Sequence, residues 1–223
     1  MRHAVLSLVL ALACLLAVPA QAQDLKTEEQ KTLYALGLAL GQQVSAFTLS
    51  AAELELVKAG LADSVLKKEP KVDLQAYAPK LQELHRTRST ALAAAEKKSG
   101  QAFIDKAAAE KNATKTASGL VITTIKPGTG PSPTAKDKVK VHYHGTLTDG
   151  TVFDSSVQRG EPITFPLDGV IRCWTEGVPM MKVGGKSRLV CPSELAYGDR
   201  GAGGRIKPGA TLVFEIELLE IVK

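Results

Sequence analysis

Residues 145–162 read GTLTDGTVFDSSVQRGEP. Asp149-Gly150 set between strand-forming residues is a strong signal for a tight β-hairpin. The second arm carries Phe153 beside Asp154, with Ser155 and Ser156 following. A carboxylate in that place suits four roles. It could be a general acid, a metal ligand, a turn residue capped on the Ser155-Ser156 amides, or a group that shapes a pocket and moves no proton.

The texture around the hairpin is that of an antiparallel sheet. Short β-rich runs occupy 119–125, 138–143, 186–190 and 211–222. Turn signals separate them: Pro127-Gly128, Pro208-Gly209 and the glycine-rich loop 198–204. One short helix is expected at 178–183 or just before it.

Upstream the period changes to helical. Thr27-x-x-Gln30 and Ser50-x-x-Glu53 read as capping boxes. Leu33, Leu36, Gly37, Leu40 and Val44 form one stripe, and Leu54, Val57, Leu61 and Val65 a second. Asp73 caps a third, alanine-rich helix running to about residue 111, roughly 55 Å long. Pro79 is expected to kink or restart it. Residues 111–118 read as a polar linker. The two short helices offer more apolar face than one chain can cover, which points to a homodimer. A monomeric three-helix unit, folded back on the stalk, is the alternative. The fold class is therefore α+β, with residues 24–111 helical and 116–223 sheet-rich.

Residues 1–22 read as a signal peptide, with an apolar run over 4–18 and cleavage after Ala20-Gln21-Ala22. This predicts export, to the periplasm first, with outer-membrane association or secretion as alternatives. No membrane span is expected after cleavage. Net charge is +5, and losing Arg2 removes one positive charge. Lysines and arginines alternate with acids along the helical half, so solvated helix faces explain them better than nucleic-acid binding. Cleavage also removes Cys14 and leaves Cys173 and Cys191, 18 positions apart. In an exported chain this pair suggests a disulfide of about 3 kcal/mol; two buried thiols are the alternative. His142 and His144 lie two apart on one strand, which suits an ordinary sheet face and leaves any metal site short of ligands. The loop GDRGAGG lacks the Lys-Ser/Thr of a phosphate loop.

Aromatic residues are scarce, at 4%, yet Tyr143, Phe153, Phe165, Trp174, Tyr197 and Phe214 come from nearly every separate segment of the C-terminal half. Core packing is the simple reading. Against it, Tyr197 sits in a glycine-rich loop and Phe153 adjoins a charge, as in a ligand pocket.

The run VKVHYHGTLTDGTVFDSSVQRGEPITFPLDGVIRCWTEGVPMMKVGGKSRLVCPSELAYGDRGAGG, followed by IKPGATLVFEIELLEI, resembles the FKBP-type peptidyl-prolyl cis-trans isomerases. The helical half, with YALGLALG, is similar to the dimerisation domain of exported FkpA-like and Mip-like (macrophage infectivity potentiator-like) members. The resemblance implies an antiparallel half-barrel wrapped around a short helix. It implies a pocket of Tyr143, Phe153, Asp154, Phe165, Val170, Ile171, Trp174, Tyr197 and Phe214, with Trp174 as floor and Ile206 on a loop that closes over the proline. Asp154 and Tyr197 would be the catalytic pair: Asp154 orienting the pocket through Tyr143, the Tyr197 hydroxyl donating to a substrate carbonyl. Partners would be proline-containing folding polypeptides, and macrolides such as rapamycin would inhibit. Departures from the family pattern are Cys173 before the tryptophan, Cys191 before Pro192, Arg172, and Lys207, which with Arg200 and Arg205 makes the rim basic.

The implied chemistry needs no nucleophile, metal or cofactor. An X-Pro bond prefers trans by only about 0.5–1 kcal/mol but rotates over a barrier near 20 kcal/mol. Water stabilises the polar planar imide, so an apolar pocket favours the twisted state. Lowering the barrier by about 5 kcal/mol gives roughly 10⁴-fold acceleration. A chaperone activity exerted through the dimer would add to this.

Overall fold

The computed structural model describes residues 25–222. The signal peptide expected over 1–22 lies outside the described residues. These divide into two compact units with the boundary between Gly37 and Leu38.

The helix α1 (Glu28–Gln43) opens on the expected box: Gln30 N–H donates to Thr27 Oγ1, and Gln30 Oε1 accepts from Thr27 N–H. The helix α2 (Ala51–Val65) has the complete Ser50/Glu53 box. Neither helix buries a single residue within one chain. Between them a 3₁₀ turn, Ser45–Phe47, docks on the third helix, α3 (Leu74–Ala108). Phe47 meets His85 edge-on at 5.2 Å, and Arg88 donates to Phe47 O at 2.8 Å while pairing with Glu53.

Asp73 caps α3 as expected, accepting from Gln75 N–H. The helix is about 52 Å long. Pro79 does not break it. Proline falls in the sixth residue of α3, so only one bond near the free end is lost. Residues 111–118 are not the linker the sequence suggests. They contain a strand, β1 (Ala113–Lys115), paired with β2 (Val121–Lys126).

The remaining strands are β3 (Lys138–Leu147), β4 (Val152–Ser155), β5 (Ile163–Pro166), β6 (Lys186–Cys191) and β7 (Leu212–Val222). The antiparallel sheet runs β1-β2-β6-β7-β3-β4, with β5 also on β3. The hairpin forms at Asp149-Gly150, where Gly150 takes φ +87°. Inward residues alternate on β3 (Val139, Val141, Tyr143, Gly145) and β7 (Leu212, Phe214, Ile216, Leu218). Against that face packs the short helix α5 (Arg172–Gly177), which lies before 178–183 and follows a single turn α4 (Ser156–Arg159). Cys173 and Cys191 form a disulfide, Cα–Cα 5.8 Å, joining α5 to β6.

The alternation fails on β2 and β6, and α3 is the reason. Ala93, Gly100, Ile104 and Ala107 form a buried stripe on α3. Ile104 and Ala107 cluster with Val121 and Val190 on the outer face of the sheet. Leu120, Ile122 and Leu189 face the main core instead. Strands covered on both sides lose the polar half of their pattern.

Candidate active site

The hollow is built around Trp174. Its ring meets Tyr143 at 5.2 Å, Phe165 at 5.6 Å and Phe214 at 5.4 Å, each edge-to-face. Phe153 in turn meets Phe214 at 5.5 Å and 89°. Such pairs add about 0.5–1.5 kcal/mol each beyond burial, which fixes the floor rigidly. The rings come from β3, β4, β5, α5 and β7, with Tyr197 from the loop after β6. Val170 and Ile171, just before α5, complete the wall. The cavity measures about 180 Å³. Pockets for drug-sized ligands run to about 300–1,000 Å³, so this one suits a single small ring.

Nine of the ten expected pocket residues line this one cavity. Ile206 does not. It lies in an adjoining hollow that shares Phe153, Asp154 and Tyr197. Ile171 caps α5 through its carbonyl, which accepts from Trp174 N–H at 2.9 Å. Among the described residues the Ile171 N–H itself makes no hydrogen bond, leaving a donor at the cavity wall.

Asp154 does not cap the following turn. Ser155 does, its Oγ accepting from Gln158 N–H at 3.2 Å. Ser156 Oγ holds the backbone of β3, accepting from Tyr143 N–H at 2.7 Å. The carboxylate of Asp154 instead accepts from the Tyr143 hydroxyl and from Arg159. Arg159 also donates to Tyr143 Oη at 2.9 Å. Burial pushes Asp154 up, but the bonds from Tyr143 and Arg159 outweigh it and hold the carboxyl below its ordinary value. Burial raises Tyr143, with the bond to Asp154 adding. Tyr197 is raised by burial and by the Asp154 charge. Near neutral pH Asp154 is thus ionised and both tyrosines are protonated. None of the three is poised for proton transfer at pH 7.

Arg159 is the residue that sequence reasoning missed. Ser155-x-x-Gln158 carries a capping signature, and a helical turn started at Ser155 brings a side chain five positions on back beside Asp154. His142 and His144 point away from the hollow and bond Ser156 and Ser155 through Nδ1, at 3.2 and 3.0 Å.

Comparison with known proteins agrees with this geometry. Residues 130–219 match the FKBP-type peptidyl-prolyl cis-trans isomerase profile, and residues 29–122 match the domain amino terminal to such isomerases. The chain belongs to the FKBP-type peptidyl-prolyl cis-trans isomerases. It is 44% identical over 203 residues to the FKBP-type 22 kDa peptidyl-prolyl cis-trans isomerase of Escherichia coli K12, covering 88% of this chain and 97% of that one. It is 42% identical to the isomerase FkpA of Aeromonas hydrophila, covering 92% and 81%. The crystal structure of FkpA from Escherichia coli superposes with a TM-score of 0.66 at 37% identity, covering 89% of this chain and 98% of that one. The aromatic hollow is accordingly the candidate active site of an FKBP-type enzyme.

Proposed function

We propose that this isomerase acts on proline-containing polypeptides as they fold outside the cytoplasm, and that it works by desolvation. The observation that carries the reading is the composition of the cavity. Six aromatic rings surround it, and its carboxylate is already committed to Tyr143 and Arg159. A prolyl ring seated on Trp174 would leave its imide facing apolar walls. The planar, charge-separated form would lose its hydration, and the twisted form would lose less. The Ile171 N–H and the Tyr197 hydroxyl are the donors that would hold substrate carbonyls. Asp154 would keep Tyr143 and the adjacent wall in place and polarise the bound imide.

The assay is isomerisation of a proline-containing tetrapeptide by the purified chain, with and without rapamycin. Acceleration suppressed by rapamycin is expected. Rates equal to buffer would overturn the proposal. The isolated segment 116–223 is a poor test object, because removing α3 uncovers Val121 and Val190. A shortened chain should begin before Ala93, so that the whole buried stripe of α3 is kept.

Self-association belongs to the same reading. Leu33, Leu36, Leu54, Leu61 and Val65 are all exposed in one chain, between 44% and 69%. Burying that much apolar surface is worth about 25 cal/mol per Å². A dimer would give a folding client two pockets and raise its residence by avidity, the basis of a chaperone activity. Among the described residues no helix is long and apolar enough to cross a membrane.

A further inference from the structure

The adjoining hollow measures about 250 Å³. It shares Phe153, Asp154 and Tyr197 with the aromatic cavity and is otherwise walled mainly by Ala202, Arg205 and Ile206. Its outer wall is a small hairpin. Ala202 and Ile206 exchange both backbone bonds, at 2.8 and 3.0 Å, and Gly203 and Gly204 make the tip at positive φ. The tip is held from behind. Ser45 Oγ donates to Gly204 O at 3.2 Å, and the backbone of Gln42 lies too close to Gly204 to admit a Cβ. Arg205 is therefore carried on a supported wall.

The charges around this hollow do not cancel. Asp154 is paired with Arg159, Asp199 with Lys97, and Lys207 with Glu96. Among the described residues Arg205 makes no ion pair. That leaves one unmatched positive charge on a wall whose other parts, Phe153, Ala202 and Ile206, are apolar. Methylenes ending in a carboxylate fit such a surface.

We infer that this second hollow receives the side chain next to the substrate proline, and that Arg205 makes it select an acidic one, glutamate above all. The inference rests on the proposed use of the aromatic cavity for the prolyl ring. Aspartate fits less well because its single methylene does not span the apolar wall. An exposed pair of this kind is worth a few-fold in affinity, and salt screens it.

The test uses the full chain and peptide exchange measured by NMR, which needs no coupled protease. One peptide series varies the residue before proline among Glu, Gln, Leu and Lys; a second varies the residue after it. The readout is the ratio of kcat/KM for Glu over Gln on each enzyme, so that any general loss in a variant cancels. Wild type should exceed Arg205→Gln in this ratio by about two- to fivefold in one series. Arg205→Glu should invert it, and raised salt should collapse the wild-type preference. Equal ratios for wild type and Arg205→Gln in both series would overturn the inference while leaving the isomerase reading intact. A wild type inactive on the leucine peptide would overturn that reading, and this inference with it.

Discussion

Asp154 sits where two opposing effects meet. Burial favours its neutral form, yet hydrogen bonds from Tyr143 and Arg159 keep it charged. Its folded value is depressed, so its contribution to stability is complete above the ordinary carboxylate pKa of about 3.9 and is lost as pH falls through the lower folded value. Both tyrosines titrate above their ordinary value of about 10. kcat/KM should therefore be flat between about pH 5 and pH 9. A bell with a limb assigned to Asp154 or Tyr197 inside that window would restore proton transfer. Asp154→Asn removes the charge from two hydrogen bonds, those from Tyr143 and Arg159, and bonds to a charged group are worth about 1.5–3 kcal/mol each. A loss of roughly tenfold or more in kcat/KM with the fold intact by circular dichroism is expected. Gly145 is a second sensitive residue. A Cβ there would lie 2.8 Å from Phe153 Cζ and 3.1 Å from Phe214 Cε1. Gly145→Ala should lower kcat/KM by displacing two walls, and an unchanged rate would show that the rings tolerate displacement.

At the scale of elements, α3 does more than separate the helices from the sheet. Its C-terminal half lies so closely on the sheet domain that at Ala93 and Gly100 only small residues fit, while Ile104 fills the gap over Val121 and Val190. Gly100 faces the side chain of Thr211, with a Cβ there 3.0 Å from Thr211 Cβ. Alanine normally gains about 1 kcal/mol over glycine inside a helix. Here overpacking should reverse the sign, so that Gly100→Ala destabilises by about 1–2 kcal/mol. Gly209, at φ +77°, abuts the backbone of Ala93, and a Cβ there would lie 2.7 Å from the Ala93 Cα. Gly209→Ala carries both strain and overlap and should cost about 2–4 kcal/mol. Urea denaturation would check both, and a stabilised Gly100→Ala would mean that α3 lifts off freely. The Ala-rich sequence of α3 concealed this contact. Ala93 looks like an ordinary helix former and Gly100 like a tolerated one, and only their neighbours, the backbone of Gly209 and the side chain of Thr211, show that they are needed for their size.

At the scale of the whole molecule two bonds between distant parts can be tested. The disulfide closes a separation of 18 residues between α5 and β6. In the loop-entropy account it stabilises by about 3 kcal/mol, so Cys173→Ser with Cys191→Ser should lower Tm and leave the pocket residues in place. The second is association between chains. Leu54→Glu with Leu61→Glu places charge on an exposed apolar stripe of α2. Light scattering is expected to report a dimer for wild type and a monomer for this double variant. Equal masses for the two would place the interface elsewhere or dispense with it.

The sequence by itself determined the caps at Thr27, Ser50 and Asp73, the Asp149-Gly150 hairpin, the inward alternation of β3 and β7, and, through the resemblance, nine cavity residues that line one hollow. The caps, the hairpin and the alternation depend on neighbours within a few residues or on a period of two, and such signals survive in a string of letters; the cavity residues were legible only through the resemblance. Tertiary structure decided the rest. It returned Arg159 to Asp154, made a strand of 113–115, covered β2 and β6 on their second face with α3, and set Arg205 on the wall of a second hollow. Arg159 lies only five positions from Asp154, and 113–115 pairs with the very next strand, but the cover of α3 on β2 and β6 and the second hollow need segments far apart in the chain to meet. The free energy of that meeting belongs to the burial of the pair, and neither segment carries it alone.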